Sequence, residues 1–247
     1  MTATPADARR VAEEYRIARE VPRAGLAQWR EAIAAAADLG PGRTVLDVGA
    51  GTGAFATALR DWFGVRVLAI EPAPAMRALI PADERIEVLA GHAEALPVPD
   101  GCADAAWLGS VVHHLSDLAA TARELRRALK PGAPVLIRNS FPGRCAGDLR
   151  VRYFPESERI VAGYPTVDEV CSAFAPAGFR RVSLRPLAQQ SAPSLADFAA
   201  SIRRDADAKL RGLTDEEFGD GMARLRAAVA ADPAQPATSW LDLLVLA

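Results

Sequence analysis

Residues 45–59 read VLDVGAGTGAFATAL, and the fold follows from the change of pattern inside them. Residues 43–48 read as a short apolar strand, carried by Val45, Leu46 and Val48 and ending in Asp47-Val48-Gly49. Gly49, Gly51 and Gly53 follow at once, and residues 52–62 then carry helix-forming alanines and leucine. A strand that breaks into a glycine-rich turn and enters a helix is the first half of a βαβ unit. Glycines at that junction let the backbone turn sharply and approach a ligand closely.

The alternation continues outward from this junction. Residues 65–70, 85–89, 103–109 and 134–138 read as further strands, and residues 74–80 and 117–129 as helices. The last of these helices stops at Lys130-Pro131-Gly132. Strands alternating with helices predict right-handed crossovers and a doubly wound, mostly parallel α/β sheet of Rossmann-like type. Upstream, residues 6–20 and 24–39 read as two helices separated by Pro22 and Gly25. Downstream, residues 141–164 are loop-like, with arginines and aromatics but no clean period. Residues 166–175 read as a helix with Thr166 as N-cap and Glu169 at the capping-box position. Residues 179–187 read as a sixth strand, 194–211 and 214–230 as two amphipathic helices opened by Ser194 and Thr214, and 238–246 as a final apolar strand.

A chain of 247 residues, half of them apolar, suits a single domain over residues 1–247. The net charge of −2 gives no electrostatic footprint for nucleic acid. Cys102, Cys145 and Cys171 are odd in number and far apart, which argues against a disulfide framework or a zinc knuckle and for reduced thiols. The polar start of the chain has no apolar signal core, and no run approaches the ~20 apolar residues of a membrane span. These features predict a cytoplasmic protein, monomer or homodimer, with no membrane or nucleic-acid partner and no metal.

Chemistry concentrates at the predicted carboxyl ends of the strands, where open α/β sheets bind ligands. Gly49, Gly51 and Ala54 also satisfy the dinucleotide fingerprint G-x-G-x-x-G/A. Asp47 tips the balance, because a carboxylate there repels a pyrophosphate but accepts hydrogen bonds from an ammonium group. S-adenosyl-L-methionine (SAM) carries an ammonium and a sulfonium and no phosphate. Glu71 ends the second strand, where a carboxylate accepts both hydroxyls of a ribose. Residues 91–100, GHAEALPVPD, offer polar groups for an adenine edge and apolar ones for its face, and Gly109 and Ser110 allow close approach after the fourth strand.

Taken together, VLDVGAGTGAFATAL (45–59), AIEPAPAMR (69–77), GHAEALPVPDGCADAAWLGSVVHHL (91–115) and ELRRALKPGAPVLIRN (124–139) resemble the class I SAM-dependent methyltransferases. The resemblance is to the broad group of ubiquinone/menaquinone-type and natural-product small-molecule enzymes. It implies a seven-stranded sheet whose last strand runs antiparallel beside the sixth. It also implies a SAM-binding core at 43–139 and N-terminal cap helices at 1–40; the open carboxyl edge of that core needs a cover that excludes water, which predicts substrate lid segments at 141–164 and 190–232. By this resemblance Asp47, Gly49, Ala50, Gly51 and Gly53 line the methionine part of SAM and Glu71 holds the ribose. Pro72 and Met76 flank the adenine, His92 and Ala93 meet its edge, and Ser110 lies near the methionyl moiety. Relatives usually carry Asp where this chain has His92; a neutral imidazole nitrogen accepts the same hydrogen bond, or Glu94 substitutes.

The implied activity is methyl transfer from SAM to a small-molecule acceptor. A sulfonium methyl is already activated, so holding the acceptor in line supplies much of the rate, and a base is needed only where the acceptor loses a proton. His113 and His114 are the candidate bases, with a packing role as the alternative. On an extended segment they face opposite sides, which allows only one to point at the methyl. Arg138 and Asn139 at the fifth strand's end, and Arg152 and Tyr153 in the arginine-rich stretch, are candidate acceptor contacts; Arg144, Arg150 and Arg159 add to that stretch, which suits an acidic acceptor group. Segment 141–164 is expected to be the loosest lid piece, for want of a periodic apolar face. Tyr15 and Arg19, in the N-terminal helix, are candidates to close over the cofactor, with a place on the helix surface as the alternative. Three rivals stand beside this reading: a nucleic-acid or macromolecule methyltransferase, an NAD-dependent oxidoreductase, and a SAM-binding protein of this fold without methyl transfer.

Overall fold

A computed structural model describes residues 5–19 and 22–247, with side chains for 7–17 and 22–247. Arg19 therefore lies outside the described side chains. Seven strands form one sheet: β1 (Thr44–Val48), β2 (Arg66–Ile70), β3 (Ile86–Leu89), β4 (Ala105–Gly109), β5 (Val135–Asn139), β6 (Arg181–Ala192) and β7 (Ala237–Leu246). Their spatial order is β3-β2-β1-β4-β5-β7-β6. The pairs β1–β2, β1–β4, β2–β3 and β4–β5 are parallel, and β5–β7 is antiparallel with Asn139 opposite Asp242. Beyond the ends of β6 and β7, Arg180 and Ala247 exchange both backbone hydrogen bonds, as antiparallel neighbours do. The last strand thus lies between the fifth and the sixth. Strand order reverses at β1 and β4, so the carboxyl ends of those two strands flank the crevice where this architecture binds ligands.

The helices are α1 (Pro5–Arg19), α2 (Ala27–Ala36), α3 (Ala54–Phe63), α4 (Pro74–Arg77), α5 (Leu118–Ala128), α6 (Leu149–Tyr153), α7 (Glu158–Val161), α8 (Val167–Phe174), α9 (Leu195–Ser201), α10 (Ala208–Arg211) and α11 (Asp215–Ala231). Among the described residues no helix is long and apolar enough to cross a membrane. All three cysteines are free thiols. The chain divides into two compact units. A sheet unit takes Arg30–Asn139, Pro165–Arg185 and Asp242–Ala247, and a helical unit takes the chain up to Trp29, Ser140–Tyr164 and Pro186–Leu241.

In the sheet unit the local signals and the structure coincide. Val45, Leu46 and Val48 are buried, as are Ala56, Ala58 and Leu59 on one face of α3. Gly64 ends that helix in a left-handed conformation, its N–H donating to Arg60 O. Asp117 caps α5 by accepting from Ala120 N, and the Thr166–Glu169 capping box opens α8.

The helical unit corrects two expectations. Segment 141–164 is not loop-like: it forms α6, a 3-10 turn at Pro155–Ser157 and α7. Nor does it lack an apolar anchor, since Tyr153 and Phe154 are buried with Leu195, Phe198, Leu210 and Leu225. Helices of four or five residues complete barely one turn, so they show no period in the sequence even when their apolar side chains are buried. Phe154 stacks on Phe218 with ring centroids 5.6 Å apart. It also presses so close to Gly221 of α11 that a Cβ there would fall 1.9 Å from its ring, which accounts for a glycine inside a helix despite a cost of about 1 kcal/mol against alanine.

The second correction is at residues 194–211, which are not one helix but α9 and α10 with an irregular link. Ser194 opens α9 as expected, and a Thr214–Glu217 capping box opens α11. The link ends at Asp207, whose side chain accepts from Lys209 N to start α10 and pairs with Arg150. A local cap and a buried ion pair from α6 together outweigh helix continuation. Next to it, Lys209 Nζ pairs with Asp148 Oδ2 and donates to Ser140 Oγ at 3.0 Å. Asp148 also caps α6, accepting from Arg150 N at 2.9 Å. Burial alone would push the Asp148 carboxyl up, but the charges of Lys209 and Arg150 and the hydrogen bonds from both hold it below the usual carboxylate range.

Candidate active site

The site is built from the exits of β1, β2 and β4. At the exit of β1 the glycines take left-handed backbone conformations, with φ of 72° at Gly49 and 81° at Gly53. Side chains there would be strained, and a Cβ on Gly49 would also come within 2.4 Å of Val111 Cγ2. The loop is latched to β2: Gly49 N and Ala50 N donate to Ile70 O, and Gly51 N donates to Glu71 Oε2 at 2.8 Å. The other Glu71 oxygen accepts from Ala73 N at 2.9 Å. Glu71 therefore ties the two loops together, and each of its oxygens retains a second lone pair for a hydroxyl donor. Arg77, which the sequence reading did not single out, donates to the backbone oxygens of Glu71 and Pro72 and fixes the turn that follows β2.

Asp47 is the unusual group. It is only 2% exposed, and its Oδ2 has no hydrogen-bond partner among the described residues. Burial raises its carboxyl to about 7, the nearby charge of Glu71 adds to the rise, and a hydrogen bond from the Ala56 N–H opposes it. A buried acceptor without a donor is costly unless something supplies one. An ammonium group supplies N–H donors and a compensating positive charge, so the residues present fit the amino-acid end of SAM.

The 91–100 loop is positioned from α5. Leu96 N donates to Glu124 Oε2 at 2.8 Å, and Arg127 donates to the carbonyls of Leu96 and Val98 and to Asp100. Glu124 and Arg127 were not read as site residues; their (i, i+3) spacing is common on any helix, and only the fold brings them to this loop. Ala93 is buried and His92 exposed on this loop. Glu94 Oε1 accepts from Ser116 N, Ser116 Oγ and Asp117 N, at 3.0, 2.9 and 3.4 Å. Burial would raise Glu94, but hydrogen bonds from its own N–H, Ser116 and Asp117 hold it below the usual range. Pro72 is exposed and Met76 half-buried, on either side of the start of α4.

At the exit of β4, Ser110 takes a positive φ of 59°, alone among the described non-glycine residues. Such strain persists where neighbours enforce it, and Arg138 does so twice: its carbonyl accepts from Ser110 N at 2.7 Å and its guanidinium donates to Ser110 Oγ at 2.7 Å. The guanidinium also lies 5.4 Å from the centre of the Phe55 ring. Residues Val112–His114 form a 3-10 turn, which overturns the extended geometry expected for the histidine pair. The two rings therefore do not face opposite sides but lie 4.1 Å apart, tilted by 49°.

The chain is similar to known proteins. Residues 46–137 match a methyltransferase domain family. A 2-methyl-6-phytyl-1,4-hydroquinone methyltransferase of Synechocystis is 38% identical over 103 residues, 40% of this chain and 32% of that protein. A demethylmenaquinone methyltransferase of Roseiflexus sp. is 32% identical over 186 residues, 64% of this chain and 76% of the relative. The chain belongs to the class I SAM-dependent methyltransferases. A methyltransferase assigned to an antibiotic biosynthesis pathway of Anabaena variabilis shares the fold, with a TM-score of 0.72 and 19% identity over 92% of this chain and 98% of that one. The matched stretches span about a third to a half of the length of the first two curated relatives.

The acceptor candidates fall in different units. Arg138 and Asn139 end β5 in the sheet unit, and both are buried. Arg152 and Tyr153 sit on α6 in the helical unit, where Arg152 is exposed, Tyr153 is buried, and the guanidinium lies 5.7 Å from the ring centre. Two other arginines of that stretch serve the unit itself: Arg150 pairs with Asp207, and Arg159 makes two hydrogen bonds to the Glu217 carboxylate, at 2.8 and 2.7 Å.

Proposed function

We propose that the protein transfers the methyl group of SAM to a small-molecule acceptor. The observation that carries this reading is the buried Asp47 carboxylate with an orphaned oxygen beside the glycine loop. When bound, SAM supplies an activated sulfonium methyl and leaves as a neutral thioether. The protein's part is to hold and orient. Asp47 takes the ammonium, and the glycine loop admits the methionyl chain. Glu71 accepts the ribose hydroxyls while keeping its backbone donors. Pro72, Met76, His92 and Ala93 surround the adenine. Glu94, held by Ser116 and Asp117, fixes the adenine loop against the start of α5. Acceptor recognition is assigned to Arg138 and Asn139 at the end of β5. The relatives act on a phytylated hydroquinone and on demethylmenaquinone by name, which makes an aromatic hydroquinone the first acceptor to assay.

Calorimetry tests the cofactor. S-adenosylhomocysteine should bind one to one, Asp47→Asn should weaken that binding, and NAD should not bind. Tight binding of NAD with none of S-adenosylhomocysteine would remove the reading altogether.

A further inference from the structure

Methyl transfer to an O–H, N–H or acidic C–H group leaves a proton to be removed, and the end of β5 bears on where it goes. Two consecutive residues of that strand grip the turn after β4 at two points. Arg138 holds Ser110, as described, and Asn139 holds His113: Asn139 Oδ1 lies 3.2 Å from His113 Nδ1. Asn139 is itself fixed, 1% exposed and in register with Asp242 on β7. With the Asn139 oxygen turned toward the ring it can only accept, so the proton of a neutral imidazole sits on Nδ1 in this arrangement and the ring's lone pair lies on Nε2. His113 is half-buried, and His114 is exposed.

We propose that Asn139 is a positioning residue that holds His113 in its Nδ1–H tautomer, and that Nε2 of His113, rather than His114, takes the proton of the acceptor. The inference rests on the methyltransferase reading for its reaction and on the Asn139–His113 contact for its geometry. The acceptor's X–H bond gives its electron pair to the new X–CH3 bond and its proton to Nε2, while the pair of the breaking sulfonium–methyl bond stays on sulfur. The imidazolium then returns its proton to water. A neutral amide partner suits this task. It fixes the tautomer and ring orientation without adding a negative charge that would favour the imidazolium before the acceptor arrives.

The tautomer is read by nitrogen NMR of the labelled protein, with and without S-adenosylhomocysteine. Wild type should show a pyrrole-type Nδ1 and a pyridine-type Nε2 for His113. Asn139→Ala should move the proton toward Nε2, and Asn139→Asp should keep it on Nδ1 and shift the His113 titration upward. Should the alanine variant fail to fold, the aspartate variant still decides. A wild-type His113 protonated on Nε2, or variants that leave tautomer and titration unchanged, would overturn the proposal. With 1,4-naphthohydroquinone as acceptor, His113→Gln should lower kcat by roughly 10²–10⁴ at unchanged KM for SAM, whereas His114→Gln should stay within about threefold of wild type. Equal losses in the two variants, or none in His113→Gln, would equally sink it. Failure of S-adenosylhomocysteine to bind would count against the methyltransferase reading alone, because the tautomer is also read without ligand.

Discussion

The sheet unit and the helical unit each bury an aspartate to the same degree, and the two behave in opposite ways. Asp47 and Asp148 are both 2% exposed. Asp47 has one oxygen without a partner, and its carboxyl is raised to about 7. Asp148 has Lys209, Ser140 and the α6 backbone around it, and its carboxyl is held low. Burial is equal, so the difference lies in the partners. In the helical unit the buried Asp148 is engaged by its own fold, whereas in the sheet unit Asp47 keeps one oxygen unpaired among the described residues, and strongly perturbed buried carboxyls of that kind concentrate at functional sites.

The largest effect that would sharpen this contrast is expected at Lys209. Lys209→Met strands Asp148 without its cation and should cost about 3–5 kcal/mol of unfolding free energy, measured by chemical denaturation. A loss below about 1 kcal/mol would mean that the pair does not hold the helical unit. Glu71→Ala comes next: it should cost on the order of 2–3 kcal/mol of S-adenosylhomocysteine binding, as two charge-assisted hydrogen bonds are lost. Unchanged affinity would place the ribose elsewhere.

The pH dependence should differ in sign between the two units. Asp47 has a folded pKa above its unfolded value of roughly 3.9. Its contribution to stability is thus fully present below about pH 4 and is lost as pH rises through about 7. Asp148 is depressed, so its contribution is present above its unfolded value and is lost as pH falls through its folded one. Asp47→Asn should flatten the slope between about pH 4 and 7 and leave the acid limb in place; an unaltered slope would break the comparison. Because an ammonium favours the Asp47 carboxylate, cofactor binding should also release a fraction of a proton near pH 6, detectable by calorimetry in buffers of different ionisation enthalpy. The smallest effect is expected at Arg159, whose bond to Glu217 is exposed: Arg159→Ala should leave the melting temperature almost unchanged, and a large drop would show the outer face of the helical unit to matter as much as its interior.

How far the sequence could be read divides along the same line. The strands β1–β5, helices α3 and α5, the Thr166–Glu169 capping box, the opening of α11 at Thr214 and the glycine turn were legible because each is set by neighbours within a few residues: alternating pattern, cap chemistry, the turn a glycine permits. The placement of Asp47, Gly49 and Glu71 at the exits of β1 and β2 was legible because the strands and the glycine turn follow one another in a fixed order. The histidine pair was read in the wrong backbone geometry, since no local signal distinguishes a 3-10 turn from an extended exit. The break between α9 and α10 was missed because its cause, Asp207 meeting Arg150, joins residues far apart in the chain.

The sequence by itself determined the α/β alternation, the glycine loop beside an acidic strand end and the family resemblance, because those depend on spacing over a few residues. Only the tertiary structure decided which of two equally buried aspartates is satisfied, which histidine meets Asn139, and that β7 lies between β5 and β6. Those depend on side chains and strands brought together across long stretches of chain, and burial and hydrogen-bond satisfaction exist only once that chain has packed.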